Sequence, residues 1–134
     1  MKIIALDFDG VLDIRGTFSK AACKNLNRLL DEVPEAKIVV SSSWRQHGLV
    51  FCKKLLQTHG IDPTKVVDIT GNEVGSRGMQ VKAWLQRHSE VTHYVILDDQ
   101  QDFDSVQQDH FVKTLSYVGL TSADVTKSVD ILNK

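Results

Sequence analysis

The sequence predicts an α/β protein built on a parallel, three-layer sheet, and three observations carry that expectation. Short apolar runs alternate with segments of helical periodicity along the chain. Most of the runs are continuous and β-branched rather than alternating, which is how strands covered on both faces read. Strand–helix–strand succession favours right-handed crossovers, which lay successive strands parallel. The runs are Ile3 to Phe8, Ile38-Val39-Val40, Val66 to Ile69, Tyr94-Val95-Ile96-Leu97 and a weaker His110-Phe111-Val112. Between them, Ser19 can cap a helix whose apolar positions Ala22, Leu26, Leu29, Leu30 and Val33 form a one-sided stripe. A second helix is expected from about Leu49 to His59, with Phe51, Cys52, Leu55 and Leu56 facing inward and Gly60 ending it. A third starts near Arg77 and carries Val81, Trp84, Leu85 and His88; a fourth begins after Ser122 with Val125, Val129 and Leu132.

Composition narrows the class. A chain of 134 residues matches one ordinary domain, here expected to span 1–134. Hydrophobic residues at 42% and charged residues at 25% exclude a disordered or collagen-like chain. Sixteen Lys and Arg against 17 Asp and Glu leave a net charge of -1, so there is no bulk pull toward nucleic acid or acidic lipid. No apolar run approaches the roughly 20 residues of a membrane span, so no membrane partner is expected. The first run meets Asp7 too early for a signal peptide. Cys23 and Cys52 fall in helices with no metal or redox spacing, which reads as a cytoplasmic protein with reduced thiols. His47, His59, His88, His93 and His110 show no metal or triad spacing and read as surface or half-buried residues.

In parallel sheets ligands sit at the carboxyl ends of the strands, so the residues closing each run are the first candidates for chemistry. Run one closes with Asp7-Phe8-Asp9-Gly10, where period two would put both carboxylates on one side and the glycine permits a sharp turn. Run two leads into Ser41-Ser42-Ser43-Trp44-Arg45, hydroxyls that can donate to an anion and an arginine that can pair with phosphate oxygens. Run four closes with Asp98-Asp99. Asp7, Asp9, Asp98 and Asp99 would thus converge on one edge, and hard carboxylate oxygens with few other ligands suit Mg²⁺.

The string Leu6-Asp7-Phe8-Asp9-Gly10-Val11-Leu12 resembles the first motif of the haloacid dehalogenase superfamily, which is dominated by phosphatases. An apolar strand ending in serine, a basic residue before a helix, and an apolar strand ending in Asp-Asp follow in the family's order. Ser42-Ser43-Trp44-Arg45, Arg77-Gly78 before Trp84-Leu85, Leu97-Asp98-Asp99 and Gly119-Leu120-Thr121 are most similar to the small domains of this type in nucleic-acid end-repair and phage-type proteins. The resemblance implies a Rossmann-like domain with five parallel strands in order 5-4-1-2-3 and no cap, because neither usual insertion point, Asp13 to Lys37 or Gln46 to Ser76, has room for one.

It also implies roles. Asp7 would attack phosphorus and form an aspartyl-phosphate. Asp9 would protonate the leaving oxygen, then activate water, while its backbone carbonyl joins Asp7, Asp98 and Asp99 around Mg²⁺. Ser42 would bind the transferring phosphoryl group, with Ser41 and Ser43 as alternatives; Ser43, Arg45 and the Gly10 loop would help hold the substrate. The family usually has lysine at its basic motif. Here the candidates are Arg77, preferred for its place 21 residues before Asp98, and Lys82. Trp44, Arg45 and Gly119-Leu120-Thr121 are candidates for a rim around an open site. The expected function is Mg²⁺-dependent hydrolysis of a phosphate monoester, with a nucleotide or nucleic-acid end phosphate as leading substrate and a monomer or weak dimer as the assembly. The alternatives are phosphotransfer to another acceptor and a non-catalytic phosphate- or nucleotide-binding module.

Overall fold

In the computed structural model, which describes residues 1–134, strands β1 (Lys2–Leu6), β4 (Ala36–Val40), β5 (Val66–Ile69), β6 (His93–Asp98) and β7 (Phe111–Lys113) form one parallel sheet. A separate antiparallel hairpin pairs β2 (Asp13–Ile14) with β3 (Thr17–Phe18). The sheet order is β5-β4-β1-β6-β7, which differs as written from the expected 5-4-1-2-3. The hairpin is the reason: its two strands are additional to the five expected runs, and they shift the number of every later strand. Arg15 and Gly16 both take positive φ, 55° and 87°, as a tight two-residue hairpin turn requires. No helix is long and apolar enough to cross a membrane.

Alternation along β1 sorts the layers. Ile4 and Leu6 face the main core, shared with helices α1 (Lys20–Glu32), α2 (Leu49–Thr58) and α4 (Ser122–Leu132). Ile3 and Ala5 face the other way, onto Trp84 and Val81 of α3 (Arg77–Gln86). Helix α1 begins where Ser19 Oγ accepts the Ala22 N–H at 3.1 Å, and buries Ala22, Cys23, Leu26, Leu29 and Leu30. Helix α4 starts in a reciprocal cap between Thr121 and Asp124. Both cysteines are buried and free.

Two local expectations are corrected. Phe51 does not face inward; it is 40% exposed and lies parallel to Trp44, while Cys52 and Leu56 carry the burial of α2. Gly119-Leu120-Thr121 forms no open rim, because Leu120 is buried, its N–H donates to Val11 O at 2.8 Å, and Thr121 caps α4. The histidines pack as expected of half-buried residues: His59 stacks on Phe18, His88 on Trp84 and His110 on Tyr94.

Candidate active site

The register of the sheet assembles the site. Leu6 pairs with Val40 on one side and Leu97 on the other, so Asp7, Ser41 and Asp98 occupy the next rung. The Asp7 N–H donates to Leu97 O at 3.0 Å and the Ser41 N–H to Leu6 O at 2.9 Å, continuing the ladder to that rung. Asp7 and Asp98 are buried, Asp99 is half-buried, and one oxygen from each lies within 4.8 Å of the others.

A single guanidinium answers these carboxylates. Arg77 Nη1 donates to Asp7 Oδ2 and to Asp98 Oδ2, both at 2.9 Å. The remaining oxygens are held by the backbone: Asp7 Oδ1 accepts the Phe8 N–H at 2.8 Å and Asp98 Oδ1 the Gln100 N–H at 2.9 Å. Burial, followed by the neighbouring Asp98, pushes the Asp7 carboxyl up to about 8 despite Arg77. Burial raises Asp98 as well, against the pull of Arg77. Burial works to lower Arg77, but Asp7 and Asp98 outweigh it and hold the guanidinium charged.

Arg77 arrives there because its helix start is tied down. Ser76 Oγ accepts the Met79 N–H at 3.1 Å, and Asp102 Oδ2 accepts the Arg77 N–H at 3.0 Å. A Cβ on Gly78 would meet Asp102 O at 2.5 Å, so only glycine lets α3 approach the loop after β6 this closely. Lys82 points elsewhere: its side chain is 58% exposed and its nearest carboxylate, Asp104, is 3.8 Å away.

Asp9 departs from expectation. Its carboxylate is exposed, stands outside the Asp7–Asp98–Asp99 cluster, and accepts the indole N–H of Trp44 at 3.2 Å. Strand β1 ends at Leu6, so the two-residue period no longer applies beyond it. Phe8 is fully buried, and its carbonyl gathers the N–H groups of Val11, Leu12 and Asp13 at 2.8–3.1 Å, turning the chain at that point. Gly10 sits at φ 79°, and a Cβ there would lie 2.2 Å from Asp99 Oδ2. The Gly10 carbonyl accepts the buried hydroxyl of Thr114 at 2.7 Å, a brace from the end of β7 that nothing in the sequence marks.

The three serines separate by role. The Ser41 hydroxyl is buried without a partner. Ser42 is also buried, and its Oγ accepts the Trp44 N–H at 3.2 Å, opening the 3-10 turn Ser43–His47. Ser43 is exposed. Arg45 is only 8% exposed: Nε donates to Gly71 O at 3.3 Å and Nη1 to Ser42 O at 3.1 Å. Burial, then the nearby Arg77, lowers its pKa. Ser43, Arg45 and Arg77 border a cavity of about 450 Å³ with no hydrophobic lining residue. Asp9, Gly10, Arg15, Asp99 and Tyr117 border another of about 460 Å³.

A parallel sheet with buried carboxylates at two adjacent strand ends, a serine loop at the next, and a cation opening the following helix defines a haloacid dehalogenase-like domain of the phosphatase-type hydrolases. The chain belongs to the family described as the HAD domain in Swiss Army Knife RNA repair proteins, whose profile matches residues 3–125. No curated protein and no solved structure matches it significantly.

Proposed function

We propose that the chain hydrolyses phosphate monoesters with Mg²⁺ through an aspartyl-phosphate on Asp7, acting on the phosphorylated end of a nucleic acid. The observation that carries this reading is the rung of Asp7 and Asp98, with Asp99 beside them, answered by one guanidinium. Three carboxylates against one cation leave a site that a hard divalent ion fits, with Asp7, Asp98 and Asp99 as its side-chain holders. Bound there, Mg²⁺ supplies the charge that lets a carboxylate approach a phosphate dianion.

The chain's own residues account for the rest. Asp7 attacks phosphorus as Asp9 gives its proton to the leaving oxygen; Asp9 then takes a proton from the water that attacks the acyl phosphate. Arg77, within reach of Asp7, offsets charge on the transferring group, and the serine loop hydrogen-bonds it. Ser42 keeps a hydroxyl proton to donate while its oxygen caps the turn, and Ser41 has a hydroxyl with no other partner.

Arg77→Ala is therefore expected to lose about a hundredfold or more in turnover, in the range of a lost oxyanion donor, while Lys82→Ala stays near wild type. A dead Lys82 variant beside a nearly normal Arg77 variant would transfer the role to Lys82. The substrate class is tested by comparing a mononucleotide, a sugar phosphate and an end-phosphorylated oligoribonucleotide in Mg²⁺ and in chelator. The cavities bordered by Arg77 and by Asp99, of about 450 and 460 Å³, lie open to solvent and have few hydrophobic lining residues, so on this reading binding beyond the phosphate falls to the surface around them. kcat/KM is expected to rise from mononucleotide to oligonucleotide. A clear preference for sugar phosphates would instead place a lid over the site and exclude the polymer end.

A further inference from the structure

The structure assigns Trp44 a positioning role: its indole N–H anchors Asp9 Oδ1 and so orients the carboxylate with Oδ2 toward the leaving group. This rests on the hydrolase reading above. Trp44 Nε1 donates to Asp9 Oδ1 at 3.2 Å. An indole nitrogen is a donor only, and it bonds best to an unprotonated carboxyl oxygen, so the contact favours Oδ1 as acceptor and Oδ2 as the oxygen that exchanges the proton. With Oδ1 engaged by the indole, Oδ2 is the oxygen left facing away from Trp44 and is the one oriented for proton exchange. On the first step the Oδ2 proton moves to the leaving oxygen as the P–O bond breaks and the Asp7–phosphorus bond forms. On the second, Oδ2 takes a proton from water as that oxygen bonds to phosphorus and the Asp7 acyl phosphate opens.

The donor is rigid where the carboxylate is not. Asp9 is exposed and would otherwise sample several orientations. Trp44 is held at every point. Its N–H donates to Ser42 Oγ at 3.2 Å, its carbonyl accepts the Cys52 thiol at 3.5 Å, and its ring packs on the main core and lies within 5° of parallel to Phe51. The serine loop after β4 thereby sets the geometry of the acid on the loop after β1. A misplacement of about 1 Å in such a group costs as much as ~10²-fold in rate.

Two measurements test this. The first is the indole N–H resonance of Trp44, with that of Trp84, bonded to Asp68 Oδ2 at 2.8 Å, as internal reference. Asp9→Ala should move the Trp44 signal and leave the Trp84 signal in place; an unmoved Trp44 signal overturns the contact. This measurement keeps Trp44 intact and does not depend on turnover. The second compares Trp44→Phe, which keeps a ring in the stack but removes the donor, on an alkyl phosphate and on an aryl phosphate with an acidic phenol. kcat should fall about tenfold or more on the alkyl ester, which needs its leaving oxygen protonated, and less than about threefold on the aryl ester, with KM unchanged. In an Asp9→Asn background the Trp44→Phe loss should vanish. Equal losses on the two esters, or an undiminished loss in that background, overturn the positioning role alone. Wild-type protein that turns over neither ester overturns the hydrolase reading, and the role with it.

Discussion

Asp7→Asn is expected to abolish turnover and, without metal, to make the protein more stable. The amide keeps the shape of the carboxylate and an oxygen to accept the Phe8 N–H, but it is no nucleophile. A loss of about 4 kcal/mol or more in barrier stabilisation, roughly a thousandfold, should follow. Residual activity within about tenfold of wild type, ~1.4 kcal/mol, would exclude the covalent route. The stability gain comes from the same carboxylate. Burial and Asp98 push Asp7 up to about 8, so the folded chain binds a proton there that the unfolded chain releases at ordinary carboxylate pH. An acid whose pKa rises on folding favours the fold below that range, and its contribution is lost as pH climbs toward the folded value. The slope is about 1.4 kcal/mol per pH unit while the shift holds. Asparagine has no charge to bury, so its advantage in chelator should grow from pH 5 to pH 9. Thermal melts at those two values decide it: if Asp7→Asn melts below wild type at pH 9, Arg77 compensates an ionised Asp7 fully and the excess of negative charge is not real.

The parts of this site that follow regular structure are legible in the sequence. Asp7 and Asp98 close apolar runs, and parallel pairing in register then puts them on one rung. Arg77 opens a helix whose apolar positions were readable, so its place near the strand ends followed. What escaped lies where the chain leaves regular structure. The hairpin has two-residue strands, too short to show a period. Asp9 was expected to repeat the direction of Asp7, but the turn built on the Phe8 carbonyl breaks the alternation between them. Arg45 reads as an arginine free to pair with phosphate, but the carbonyls of Ser42 and Gly71 engage and bury it, and the second is remote in sequence. Thr114 and Gln107 carry no pattern; they matter because Thr114 holds Gly10 and Gln107 Nε2 donates to Gly78 O at 2.9 Å across the packed loops. Such contacts follow from tertiary proximity, to which periodicity is blind.

Mg²⁺ should stabilise the protein, and the size of the effect should depend on pH in a direction the site dictates. The ion binds the native carboxylates and not the unfolded chain, so at a hundredfold excess over its dissociation constant it adds about 2.7 kcal/mol. For a domain of this length that is a melting shift of several degrees. Protons compete for the same oxygens. With Asp7 held near 8, its carboxyl is largely protonated in the metal-free site at pH 6, and Mg²⁺ must displace that proton; burial raises Asp98 in the same direction. The melting shift in millimolar Mg²⁺ should therefore be small at pH 6 and largest above pH 8, where the metal-free protein carries the most uncompensated charge. Asp98→Asn should shrink it by removing a ligand from the buried rung, whereas Lys82→Ala, outside the cluster, should leave it intact. Ca²⁺ should reproduce the stabilisation but support little hydrolysis, because its larger and looser coordination shell fails to hold Asp7 in line with phosphorus. A protein that melts at one temperature with and without Mg²⁺ across this pH range, and hydrolyses a phosphate ester equally well in chelator, would show that Arg77 alone balances the cluster and that the carboxylates hold no metal.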